Sequence, residues 1–197
     1  MWGAVMGLVL LLCSWLILYT INPQLTKLSE PALKKIELTG HTGYTILSPD
    51  IPQAYSQVQG SYGDMVSKYS QENGVPSNIV NGVIMAESKG DPNAVGPPTK
   101  YGTAKGLMQL LDGTAKDMGV TDVFNPEQNI KGGTRYLGQL YNYYGGNMDN
   151  ALAAYNWGPG NMDKYLAGQK SMPAETQKYI ANVYNYSRQG APQSPVM

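Results

Sequence analysis

The stretch from Ser77 to Glu87 reads SNIVNGVIMAE, and it decides the fold class. A helix that begins near this serine places Val80, Val83 and Ile84 on one face, because residues three, four and seven apart share a side of an α-helix. Glu87 follows these three at the same spacing, so its side chain continues their apolar stripe. The pattern predicts a core-facing helix that ends at a carboxylate.

Such a position changes the acidity of the Glu87 side chain. A carboxyl group removed from water loses solvation of its charged form, so its pKa should rise. The carboxyl end of a helix also disfavours a negative charge. A raised pKa suits a general acid near neutral pH. The same pattern also fits a glutamate paired with a lysine or turned to solvent at a frayed helix end, and the spacing alone leaves these readings open.

Other segments predict that the rest of the folded domain is mainly α. Asn125 is a good N-cap for a long helix with Pro126 at its first position. No run alternates like a half-buried strand. The remaining expected helices cover Tyr62 to Gln71 and Asn147 to about Asn156, with a stop at Gly158-Pro159-Gly160, and a last one follows Pro173.

The N-terminal part has a different composition. Residues 2–21 carry no charge and are numerous enough to cross a bilayer, so we predict a transmembrane anchor over 1–21 that contacts the lipid bilayer. A cleaved signal peptide is the alternative, but no Lys or Arg precedes the apolar run. Residues 22–60 are interpreted as a linker or stalk, 61–188 as the helical domain and 189–197 as a polar tail. Lys27, Lys34 and Lys35 lie downstream of the anchor and would favour a cytoplasmic domain.

Composition excludes several classes of function. The 14 Lys and Arg residues balance the 14 Asp and Glu residues, so nothing favours nucleic acid as a partner. With Cys13 and His41 as the only residues of their types, the chain lacks the usual zinc ligands and an internal disulfide. No glycine-rich phosphate loop is present. We therefore expect no metal and no cofactor, and acid–base chemistry would fall to carboxylates.

Several motifs in sequence resemble the soluble lytic transglycosylase (SLT) family, which is related in fold to goose-type lysozyme. The motifs follow the family's order over about Tyr62 to Tyr186. They are Glu87-Ser88, Pro92-Asn93-Ala94, Gly106-Leu107-Met108-Gln109, Asn125-Pro126-Glu127-Gln128-Asn129-Ile130, and Ala154-Tyr155-Asn156-Trp157-Gly158-Pro159-Gly160. The resemblance implies a lysozyme-like, SLT-type helical domain, preceded here by the anchor and linker.

The resemblance also implies a reaction on peptidoglycan glycan strands. Glu87 would protonate the glycosidic oxygen between N-acetylmuramic acid and N-acetylglucosamine. It would then take a proton from the muramic 6-hydroxyl, which leaves a 1,6-anhydro end. The implied substrate-binding residues are Gln109, Met108, Tyr155 and Asn156. Tyr155 would form a hydrogen bond near Glu87, and Met108 would form part of the cleft wall rather than take part in the chemistry.

The sequence departs from the family in the segment 95–103. Gly96 stands where a serine often lies near the bound sugar, and Thr99 or Thr103 could supply the missing hydroxyl. The segment is also longer than usual. These differences affect substrate contacts more than the reaction.

Two other functions stay open at this stage. A lysozyme-type muramidase would need a second carboxylate, with Asp91 and Asp112 as candidates. A non-catalytic wall-binding assembly component is the other possibility. An anchored enzyme would act in the periplasm, or from a virion, beside a secretion, conjugation or phage-entry machine.

Overall fold

A computed structural model describes residues 50–189, with side chains from residue 53 onward. This part is mainly helical, as predicted. Its elements are α1 (Asp50–Asn73), α2 (Ser77–Glu87), β1 (Val95–Thr99), β2 (Gly102–Lys105), α3 (Asp112–Asp117), α4 (Pro126–Tyr143), α5 (Met148–Trp157), α6 (Pro159–Leu166) and α7 (Ala174–Ser187). The predicted anchor 1–21, the linker up to residue 49 and the tail from residue 190 lie outside the described residues. Between residues 50 and 189, no helix combines the length and the apolar character needed to cross a membrane.

Helix α2 lies in the core, as its apolar stripe predicts. Every residue from Ile79 to Met85 is buried, and α2 packs against both α1 and α7. The contact with α7 is very close at Gly82, where an added Cβ would lie 2.5 Å from the carbonyl oxygen of Val183. Only a glycine permits this approach of the two backbones. This close approach places α7 alongside the last turn of α2, where Glu87 lies.

Helix α4 begins as the sequence predicts. The Asn125 side chain accepts a hydrogen bond from the backbone N–H of Gln128 at 3.0 Å, and Pro126 occupies the first turn. Ile130 and Leu137 are fully buried, and α4 packs against α1 and α5. Its apolar stripe therefore forms one wall of the core.

Helix α1 starts earlier than predicted. It begins at Asp50, and Tyr55 and Val58 are buried in the core, so the interpretation of residues 50–60 as irregular linker is wrong. Gly60 lowers the intrinsic helix preference of this segment. Packing of Tyr55 and Val58 against the core compensates for that loss, as most helix stability in proteins comes from tertiary contacts.

The segment 95–103 belongs to a β-hairpin that runs from Val95 to Lys105, which corrects the expectation that no strand is present. Strands β1 and β2 pair antiparallel, with Pro98 opposite Thr103 and Thr99 opposite Gly102. The sequence of β1, VGPPT, carries two prolines and lies largely in solvent, so no apolar alternation reveals it. Proline is tolerated because the outer edge of this two-stranded sheet needs no donors.

The short helices α3 and α6 were also not predicted. The stop at Gly158-Pro159-Gly160 does end α5, which confirms that prediction. Pro159 is at the same time the first residue of α6, because a proline fits the first helical position, where its missing N–H is not needed.

Candidate active site

Glu87 is the last residue of α2, and burial dominates its chemistry. Loss of solvation raises the pKa of the Glu87 carboxyl from 4.5 to about 7, an increase that the nearby Tyr179 hydroxyl partly offsets. The buried Tyr179 hydroxyl lacks a hydrogen bond of ordinary geometry within residues 50–189, so it adjoins the carboxyl without bonding it closely. The described ion pairs join Lys68 to Glu127 and Lys105 to Asp112. Glu87 is thus neither paired with a lysine nor turned to bulk solvent.

Tyr155 of α5 is the second phenol beside Glu87. Its hydroxyl donates a hydrogen bond of 2.8 Å to the Met108 carbonyl oxygen. Burial, together with the nearby Glu87 charge, raises the pKa of Tyr155 well above its ordinary value, so the phenol is neutral. Its ring centroid lies 5.4 Å from that of Tyr136 on α4. The hydroxyl therefore joins α5 to the turn that carries Met108.

That turn, between β2 and α3, is held by a buried asparagine. The Asn129 side chain accepts from the Met108 N–H at 2.8 Å and donates to the carbonyl oxygens of Lys105 (3.1 Å) and Val123 (2.8 Å). Gly106 has φ +76°, and an added Cβ would lie 2.2 Å from the Val123 oxygen. Only glycine fits here, both for its backbone conformation and for lack of space.

Gln109 lies on the same turn with φ +49°, an unusual conformation for a residue with a side chain. Its amide nitrogen donates to the carbonyl oxygens of Ala94 at 3.1 Å and Gly106 at 2.9 Å. Its amide oxygen faces Gly96, where an added Cβ would lie only 3.0 Å away. Gln109 therefore connects the start of β1 to the turn. Thr99, one candidate for the missing serine hydroxyl, instead donates to the Gly102 carbonyl oxygen in the hairpin turn.

The other two predicted substrate-binding residues differ in exposure. Asn156 is exposed on α5, and its amide oxygen accepts from the Thr176 hydroxyl at 3.1 Å. Met108 is fully buried, and its side chain packs against Gly133 and Thr134. In this structure the Met108 side chain does not reach the surface, so it supports the turn from within.

A cleft of about 680 Å³ lies beside these residues. Of the predicted residues, it brings together Gln109, Tyr155 and Asn156, while Glu87 is not on its lining and adjoins it through Tyr155. Lining residues that sequence reasoning missed are Tyr101, Tyr136, Trp157, Asp117 and Lys164. Trp157 belongs to the motif from Ala154 to Gly160 but was given no role there, whereas nothing local in sequence distinguishes the other four. Within the part of the chain that the structure describes, no three His, Cys, Asp or Glu side chains come together as a metal site.

Comparison with known proteins identifies the class to which this fold and site belong. The family model described as the transglycosylase SLT domain matches residues 64–178, so the chain belongs to the SLT transglycosylase family. This confirms the resemblance seen in the motifs.

The chain is similar to two named relatives over part of its length. One is the transglycosylase of Enterobacteria phage PRD1, 36% identical over 91 residues, which are 46% of this chain and 32% of that protein. Another is the membrane-bound lytic murein transglycosylase C of Edwardsiella ictaluri, 32% identical over 121 residues, covering 56% of this chain and 33% of that protein. The chain thus matches about a third of the length of these relatives.

Solved structures give the same result for the fold. The 70 kDa soluble lytic transglycosylase of Escherichia coli has a TM-score of 0.57 at 29% identity, over 65% of this chain and 24% of that one. An inactive glutamate-to-glutamine mutant of the lytic transglycosylase Slt from Pseudomonas aeruginosa has a TM-score of 0.59 at 26% identity, over 80% of this chain and 26% of that one. The helical domain is therefore lysozyme-like, of the SLT type.

Proposed function

We propose that this protein is a peptidoglycan lytic transglycosylase. It would cleave the β-1,4 bond between N-acetylmuramic acid and N-acetylglucosamine and leave 1,6-anhydro ends. The observation that carries the proposal is the partly buried Glu87 carboxyl, whose loss of solvation gives it a pKa of about 7 and leaves it partly protonated at neutral pH. The family and the named relatives support the same activity.

Each step follows from one carboxyl group acting twice. Protonated Glu87 donates its proton to the glycosidic oxygen as the bond to the anomeric carbon breaks, and the N-acetylglucosamine 4-hydroxyl leaves. The Glu87 carboxylate then accepts the proton of the muramic 6-hydroxyl as that oxygen bonds to the anomeric carbon. The acid is regenerated and no water is consumed. A pKa near the working pH suits both roles, since neither protonation state is rare.

The residues around Glu87 would orient the substrate. Tyr155, Gln109 and Asn156 line the cleft and present an aromatic ring and amide groups to it. Their side chains are fixed by hydrogen bonds to Met108, Ala94 and Thr176 respectively. Fixed polar groups can position a sugar without reorganising during the reaction.

The test replaces the proton donor while leaving its shape. Glu87→Gln should retain the fold and lower the rate of peptidoglycan cleavage by a factor of about 100 or more, the scale of general acid–base catalysis. Glu72→Gln, at an exposed position of α1, is the matched control and should keep the rate. Mass spectrometry of the products should show 1,6-anhydro ends. An undiminished rate in Glu87→Gln would remove the assigned role, and a wild-type chain that releases no fragments would favour a non-catalytic assembly component.

A muramidase that uses water is the second candidate, because Asp117 lines the cleft. Of the two carboxylates predicted for this role, Asp112 is ion-paired with Lys105 at 2.7 Å and Asp91 accepts from the Asn93 N–H at 2.9 Å. Neither lines the cleft. A hydrolase would produce reducing ends, and Asp117→Asn would then lower activity as strongly as Glu87→Gln. A transglycosylase should tolerate Asp117→Asn.

We also propose that residues 2–21 anchor the domain to a membrane, so that it opens the wall locally in the periplasm or from a virion. The uncharged run and the names of a membrane-bound relative and a phage relative support this. Fractionation tests it: the full chain should sediment with membranes, and a chain lacking residues 1–21 should not. Recovery of both in the soluble fraction would contradict the anchor. Cross-linking in intact cells would identify a secretion, conjugation or virion partner.

A further inference from the structure

A second groove, the α4–α6 groove, lies beside the cleft. It has a volume of about 390 Å³ and is lined by Tyr136, Gln139, Leu140, Tyr143, Pro159, Gly160 and Asp163. Three of these residues, Tyr136, Pro159 and Gly160, also line the cleft. The two depressions therefore form one continuous surface, which runs from the region of Tyr155 to the end of α4.

The far end of the α4–α6 groove carries an exposed aromatic ring. Tyr143 is 68% exposed, although large aromatic side chains usually gain from burial. Its ring packs edge-on against Tyr144, with centroids 4.9 Å apart. The Tyr144 hydroxyl donates to the Asp163 carboxylate at 3.0 Å, which fixes the neighbouring ring. The pair thus offers a preorganised aromatic surface with a hydrogen-bond acceptor beside it.

We propose that the α4–α6 groove is a distal binding site for the glycan strand. This inference rests on the proposed function. The cleft alone has the size of a site for one small ligand, and a polymer bound there must continue along the surface. The α4–α6 groove is continuous with the cleft. Its apolar lining and the Tyr143 ring suit the apolar face of a pyranose, and Asp163 can accept hydrogen bonds from sugar hydroxyls.

The experiment measures binding without cleavage. The full chain with Glu87→Gln is titrated with glycan strands that lack stem peptides, prepared in a series of increasing length, and in parallel with strands of the same lengths that carry stem peptides. A Tyr143→Ala substitution is added to this chain, and a Tyr143→Phe substitution restores the ring. Tyr165→Ala is the matched control, because Tyr165 is exposed on α6 but lines neither depression.

We expect the affinity of the Glu87→Gln chain to rise with strand length. Tyr143→Ala should weaken binding of the long strands about tenfold, the usual scale for truncating an aromatic contact, and leave the shortest strands unaffected. Tyr143→Phe and Tyr165→Ala should bind as the parent does. The substitution site is exposed, so circular dichroism should show an unchanged fold.

Three outcomes would overturn the inference. Equal affinity of long strands for Tyr143→Ala and its parent would remove the distal site and leave the proposed function standing. A loss seen only with strands that carry stem peptides would assign the α4–α6 groove to peptide instead of glycan. Absence of binding at every length, together with an undiminished rate in the Glu87→Gln cleavage assay, would remove the proposed function and this site together.

Discussion

The partly buried and desolvated Glu87 carboxyl should couple the stability of the domain to pH. In the unfolded chain its pKa is near 4.5, and in the folded protein it is about 7. Between these values the folded state holds a proton that the unfolded state has released. The free energy of unfolding should therefore fall as pH rises from about 4.5, and the loss should be complete above about pH 7.

The size of this effect follows from the two pKa values. Their difference is 7 − 4.5, or about 2.5 units. At about 1.4 kcal/mol per unit, the ionised carboxyl costs the folded state about 3 kcal/mol at alkaline pH. That is a large fraction of the 5–15 kcal/mol that stabilises a typical domain.

Urea unfolding of the wild type and of Glu87→Gln measures this pH-dependent change in stability. Curves recorded near pH 4.5 and near pH 8 give the change in unfolding free energy for each chain, and the difference between chains cancels the other titrating groups. We expect Glu87→Gln to gain about 3 kcal/mol relative to the wild type between the two conditions. Glu72→Gln should follow the wild type. Parallel pH profiles for wild type and Glu87→Gln would refute the reasoning, because the carboxyl would then titrate alike in both states.

Three further predictions concern Tyr179, Gly106 and Tyr101. Tyr179→Phe removes the hydroxyl that lowers the pKa of Glu87, so the alkaline limit of activity should move to higher pH; an unmoved limit in the pH–rate profile would contradict this. Gly106→Ala should lower the free energy of unfolding by more than about 2 kcal/mol, since the backbone is left-handed and the added carbon overlaps neighbouring atoms. Gly102→Ala, where φ is also positive (+103°) but the space is open, should cost about 1–2 kcal/mol in the same urea titration. Tyr101 is 70% exposed and lines the cleft, so Tyr101→Ala should raise the KM for short and long strands alike, and steady-state kinetics with both would show it.

Features that depend on near neighbours in the chain were predictable. The helix over Ser77–Glu87 and the N-cap at Asn125 follow from contacts within one or two helical turns, so spacing alone indicated both. The motif order identified the family and named Glu87, Gln109, Tyr155 and Asn156 as one site. Spacing could not reveal that the Met108 side chain is fully buried, because burial depends on what packs over it.

The sequence by itself determined that a carboxylate would end an apolar helical stripe, because that arrangement needs only the 3.6-residue period of α2. Only the tertiary structure decided how far the pKa of this carboxyl rises. Tyr179 reaches it because Gly82 lets α7 approach α2, and Tyr155 reaches it through α5. These phenols lie far along the chain from Glu87, and only the docking of whole helices brings them together and excludes water.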